Sequence, residues 1–277
     1  MITSQLRKNA VPIPLEKIIE AAEKAGFEAE LRAAAAAANA GWNVDQNVYY
    51  IDKDEEKGRE LDLRVYKTFG STKKTPEVTC MITLCIEVKK TAEPFIFYST
   101  NKKQYDGSSG YGIFNWKNNV GPPVLGYNDI EAARPFSKPN RLARSYSCFK
   151  SGQTQHIQSG IISAFKAAIH ERDECNEVYS DLSGDMCFFI PIMVVDGPLY
   201  ECFFKHNEEV LTAEEIDEVV YLQNYDSKRY GRVSNSVLVM TLPTLSRRLP
   251  EFTAWGEHML SVMARNRAKV ITTAEVN

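Results

Sequence analysis

The segment Val78–Lys90 constrains this chain more than any other. It places Ile82, Leu84, Ile86 and Val88 on one face of a strand, and Thr83, Cys85, Glu87 and Lys89 on the other. So apolar a strand belongs in the middle of a sheet. A central strand flanked by helices does not carry a glutamate and a lysine without a reason, because a buried charge is costly unless it is paired. A second alternating segment comes just before it, with Leu61, Leu63 and Val65 set against Glu60, Asp62 and Arg64. If the two strands are neighbours, about 4.8 Å apart, Asp62 and Glu87 meet across the ladder.

The elements around this pair can be read in order. Pro14–Asn39 has the helical period, with an alanine run suited to close packing on a sheet; Gly26 kinks or splits it, and Gly41 follows its end. Trp42–Ile51 suits a strand, and Phe95–Tyr98 extends the sheet. Residues 100 to about 150 are rich in glycine and proline and read as an irregular insertion, within which Gly107–Gly112 and Tyr111 form a surface loop or a flap. Gln153–Glu171 returns to helix. Met186–Val195 and Leu199–Phe204 read as a hairpin around Asp196-Gly197, a pair favoured in type I′ turns. Two strands (Glu218–Tyr225, Ser236–Leu242) and a helix (Glu251–Arg267) complete the chain. The helix face Trp255, Met259, Val262 and Met263 reads as core or as a homodimer interface. The fold class expected is α/β, a mixed central sheet with helices on both faces. Residues 1–205 form the main domain, and 206–277 a C-terminal α+β extension packed on it. A doubly wound dinucleotide fold is excluded, since Gly107, Gly110 and Gly112 open no helix after a strand and no Walker lysine motif is present.

Composition narrows the function classes. The chain has 277 residues, enough for one large domain, and 33 Lys plus Arg against 36 Asp plus Glu leave a net charge of −3, so any affinity for a polyanion must come from a local basic face. No apolar run reaches the ~18 residues of a membrane span, and Met1–Asn9 has no charged-then-apolar leader. The six cysteines lack zinc-knuckle spacing, and Cys80 and Cys85 point to opposite faces of one strand. Reduced, buried thiols in a cytoplasmic protein are expected. No Gly-x-Ser-x-Gly elbow exists, and the four histidines have no metal-ligand spacing.

Glu, Asp and Lys also alternate on solvated strand faces, so the motif alone is weak; its place in an apolar strand gives it weight. Two carboxylates on one face repel unless a cation lies between them. Mg²⁺ suits the position, because it uses one or two carboxylates plus water and phosphate oxygens.

Gly-Arg-Glu-Leu-Asp-Leu at 58–63, followed by Leu-Cys-Ile-Glu-Val-Lys at 84–89, resembles the core of the PD-(D/E)xK nuclease superfamily, the restriction-endonuclease-like fold. The resemblance spans roughly residues 14–205 without the insertion. It implies metal-assisted phosphodiester hydrolysis with Mg²⁺, or Mn²⁺ in its place. Asp62 and Glu87 would be the metal ligands, Lys89 the catalytic lysine, and Glu30 the helix glutamate, with Glu28 competing for that role. A glutamine on the next helix completes the family pattern; Gln155 is the choice carried here, with Gln153 and Gln158 open. The proline of the family name is absent before Asp62, and the insertion is long. DNA is the expected substrate on family grounds alone. The alternative is an inactive member of the same fold that binds nucleic acid or serves in an assembly.

From Ala132 to His170 there is no Asp or Glu, while Arg134, Lys138, Arg141, Arg144, Lys150 and Lys166 give a local charge of +6. Phe136, Tyr146 and Phe149 are interleaved with them. Cations neutralise phosphates and aromatic rings stack on unpaired bases, so this stretch is the candidate nucleic-acid track, weighed against a solvated basic loop.

Overall fold

The computed structural model describes residues 13–70, 78–101, 115–118, 141–150, 154–178, 185–205 and 210–276. The chain is an α/β structure built on one large mixed sheet. Among the described residues the helices are α1 (Leu15–Ala25), α2 (Phe27–Asn39), α3 (Thr154–Val178) and α4 (Leu242–Val276). The strands are β1 (Asn43–Asp52), β2 (Lys57–Gly70), β3 (Thr79–Lys90), β4 (Phe95–Asn101), β5 (Asn115–Asn118), β6 (Arg141–Cys148), β7 (Asp185–Asp196), β8 (Leu199–Phe204), β9 (Leu211–Glu215), β10 (Glu218–Ser227) and β11 (Gly231–Thr241). They are ordered β1-β2-β3-β7-β11-β10-β6-β4-β8-β9, with β5 paired to β7.

The sheet is covered on both faces. One core joins the even residues of β3 (Ile82, Leu84, Ile86, Val88) to Ala29, Ala33 and Ala37 of α2 and to Leu245, Leu249, Phe252, Trp255 and Met259 of α4. On the other face, Ile157, Ile161 and Phe165 of α3 pack with Met193 and Val195, and Ala167 and Ala168 with Cys85. β3 is the central strand its composition requires, antiparallel to β2 and parallel to β7 over its full length. Gly26, at φ 88°, splits the first helical segment into α1 and α2. All six cysteines are free thiols, and Cys80 and Cys85 fall in different cores, on opposite faces of β3. No described helix is long and apolar enough to cross a membrane.

Three expectations are corrected. β7 and β8 are not a hairpin: β8 pairs with β4 and β9. The Asp196-Gly197 pair instead turns a corner alongside the bend between β3 and β4. Thr91 N donates to Asp196 O and Phe95 N to Pro198 O, so the parallel β3–β7 ladder continues as the parallel β4–β8 ladder. Gly197 is there for close approach and not for a left-handed turn: a Cβ on it would stand 2.2 Å from Thr91 O. Residues beyond 205 are not an appendage, since β11 lies against β7 inside the sheet and β10 beside it, while the last helix supplies Trp255 and Met259 to the main core. The stretch 100–150 is not wholly irregular either, because it contributes β5 and β6. Gly107–Gly112 and Tyr111 lie outside the described residues.

Candidate active site

β2 and β3 bring Asp62 and Glu87 to the same edge of their pairing. The ladder runs from Gly70↔Thr79 to Leu63↔Ile86 and stops there. Val88 N–H donates instead to Asp62 Oδ2, at 2.7 Å. β2 is irregular at this point: Leu61 packs on the α3 side, Leu63 on the α2 and α4 side, and Asn47 of β1 has φ 54°. Strict alternation would have put both leucines on one face. The break is what turns Asp62 towards the end of β3.

Glu87 is buried at 7% exposure. Its Oε1 accepts Lys89 Nζ at 2.7 Å, while Oε2 is buried with no hydrogen-bond partner. The Ser163 hydroxyl stands near enough to favour the anion, and it is itself 3.3 Å from Tyr50 Oη. Burial pushes the Glu87 carboxyl up to about 7; Lys89 opposes this and Asp62 adds to it. Burial likewise raises Asp62, against the Val88 N–H and Lys89. Glu30 is raised by burial and then by Asp62. Each acid thus sits where its negative charge is disfavoured, and added positive charge would reverse that.

One pocket gathers Glu30, Asp62 and Lys89, lined also by Glu20, Glu23 and His156; Glu87 is not in its lining and lies behind Lys89, to which it is bonded. Glu30 therefore stands with Asp62 and Lys89, whereas Glu28 pairs with Lys90 at 3.4 Å. Gln155 and Gln158 are exposed and absent from that lining, to which α3 contributes His156 instead; Gln153 lies outside the described residues. His156, Gly160 and Ser163 form the stripe of α3 that faces the site, one helical turn apart. The sequence reading passed over that stripe. The available signal was Gly160 itself, since a glycine inside a helix costs about 1 kcal/mol relative to alanine and calls for a reason.

Among the described residues no group of three or more His, Cys, Asp or Glu side chains is placed to hold a metal ion. The donor set is two carboxylates, one with a bare buried oxygen, which is the protein's usual share of a Mg²⁺ shell.

The basic track is only partly available. Arg141 Nη2 pairs with the buried Glu201 at 2.6 Å, and its guanidinium lies 3.5 Å from the centre of the Phe203 ring. Lys150 meets Glu93 at 3.3 Å, and Arg144 Nε donates to Thr100 at 3.1 Å. Lys166 is withdrawn altogether, buried on Asp52 and Asp54. The window lacks acids in sequence, but β1 and the turn after it, the β3–β4 bend and β8 supply them in space. Arg134 and Lys138 lie outside the described residues.

No protein-family model, curated protein or solved structure matches the chain.

Proposed function

We propose that this chain is a metal-dependent nuclease of the PD-(D/E)xK type. The observation that carries the reading is the Glu87 carboxylate: it is buried beside Asp62, its Oε1 is held by Lys89, and its Oε2 has no partner. Asp62 and Glu87 would hold one or two Mg²⁺ ions, which supply charge neutralisation at the phosphate and an acidified water. Val88 N–H fixes Asp62 by one oxygen, and Glu87 fixes the Lys89 ammonium. That ammonium is positioned to stabilise charge growing on a phosphate oxygen or to orient the attacking water. Glu30 adds a third acid at the pocket wall. DNA remains the proposed substrate, and the base-stacking track is reduced by the pairing of Arg141, Lys150 and Lys166.

The test is cleavage of labelled duplex DNA, single-stranded DNA and RNA, with Mg²⁺ or Mn²⁺ against EDTA. Cutting is expected only with metal. Folded Asp62→Ala and Lys89→Ala each lose about 10²–10³-fold, as when one charge-stabilising group is removed. A wild type that cuts none of the three substrates in either metal overturns the proposal. Salt-sensitive binding without cutting would move the protein to the alternative, an inactive binding member of the fold.

A further inference from the structure

Lys89 reaches Glu87 along a path that α3 leaves open at one residue. Val195 is its neighbour in register on β7, and Met193 is that of Glu87, so Lys89 and Met193 project to the same α3-facing side of the sheet. A Cβ built on Gly160 would stand 3.2 Å from Lys89 Cε, and 2.7 Å and 3.2 Å from Met193 Sδ and Cγ. Both side chains therefore lie directly against the bare Cα of Gly160. Met193 is fully buried in the core beneath α3, while the Lys89 side chain keeps 20% exposure at the pocket. With an added methyl group both side chains must give way; Met193 can shift only within the core, whereas the partly exposed lysine stem can swing outward. Its ammonium would then leave Glu87 Oε1, 2.7 Å away in the native arrangement.

We propose that Gly160 is a positioning residue for Lys89: the missing side chain leaves the channel in which the lysine stem is pressed between α3 and Met193 and aimed at Glu87. Its catalytic consequence rests on the nuclease reading; the placement does not.

The experiment is trace acetylation of the folded full chain with acetic anhydride, with mass spectrometry reading Lys89 relative to the exposed Lys90. In the wild type Lys89 reacts slowly, because it is ion-paired and mostly covered. Gly160→Ala is expected to raise the Lys89 rate several-fold with Lys90 unchanged, and Glu87→Gln serves as the positive control. In the cleavage assay Gly160→Ala lowers kcat by about 10–100-fold with KM little changed, the usual cost of losing a residue that supports a site ligand. Should Gly160→Ala fail to fold, Gly160→Ala/Met193→Ala, which removes the 2.7 Å contact, is compared with Met193→Ala alone, and Lys89 is expected to label faster in the double variant than in the single one. A folded variant whose Lys89 labels at the wild-type rate overturns the proposal. Faster labelling in a protein that cuts no nucleic acid would uphold the placement and overturn the nuclease reading.

Discussion

Without divalent cation at pH 8, Glu87→Gln is expected to be more stable than the wild type by about 3 kcal/mol, and at pH 4 the two are expected to be alike. The sign follows from proton binding. An unfolded glutamate titrates near 4.5, whereas in the folded chain burial moves Glu87 up to about 7. Between those values the folded state holds a proton that the unfolded state has released, so wild-type stability falls as pH rises through that window. Glutamine imitates the protonated form and removes this slope. Urea unfolding at pH 4, 6 and 8, read as the difference between the two proteins, measures it. If Glu87→Gln were the less stable at pH 8, the Lys89 ion pair would outweigh the burial of charge. The same construction predicts a metal effect. Mg²⁺ or Mn²⁺ at about 100 times its dissociation constant should return about 2.7 kcal/mol to the wild type at pH 8. Glu87→Gln should gain much less, since it lacks the anionic oxygen. This readout needs no substrate, so it tests the ligand pair separately from nuclease activity.

That pair was legible because period-two patterning names faces. Asp62, Glu87 and Lys89 follow from alternation in two segments joined by a turn, and Glu30 follows from the resemblance to the nuclease core. Alternation cannot name neighbours. The partners of β8 are β4 and β9, and nothing in Leu199–Phe204 distinguishes them from β7, which precedes it by a dipeptide that suits a hairpin turn. The strands β10 and β11 were legible as strands, but the entry of β11 beside β7, and of β10 between β11 and β6, depends on pairing across the whole chain. The flip between Leu61 and Leu63 was hidden for a related reason. Both are apolar, so the pattern is unchanged when β2 turns one leucine into each core. The α3 stripe was missed because His156, Gly160 and Ser163 lie between apolar rows and look like an ordinary solvated face. The acidic partners of Arg141, Lys150 and Lys166 lie on other strands or in the bend between β3 and β4, where no count along the chain finds them.

Lys166→Ala is expected to cost about 3–5 kcal/mol, the range for removing one partner of a buried ion pair. Its ammonium lies 2.9 and 2.8 Å from the two oxygens of Asp52 and 3.1 Å from Asp54, and the Lys166 and Asp52 side chains are each 5% exposed. Burial alone would lower the pKa of this lysine, but hydrogen bonds to Asp52, Tyr225 and Asp54 outweigh it and raise it above the ordinary lysine range. The rings of Tyr225 and Tyr230 stand 5.0 and 5.1 Å from the ammonium and add cation–π attraction. Alanine would leave Asp52 as an anion with no counter-charge and little water. The effect reaches beyond one residue, because this network fixes the β1–β2 turn to α3 and to the β10–β11 turn. Lys53 N donates to Tyr230 Oη at 3.1 Å, Lys53 Nζ pairs with Asp173 at 2.6 Å, and Arg229 pairs with Glu56. Urea unfolding at pH 7 measures the cost, and a loss below about 1 kcal/mol would mean that the cluster behaves as a solvated surface pair. Lys166→Met combined with Asp52→Asn and Asp54→Asn should recover most of the loss, because it removes the charges together instead of stranding one. Recovery of stability by the triple variant with polyanion binding at the wild-type level would also confirm that Lys166 anchors α3 and takes no part in a basic track.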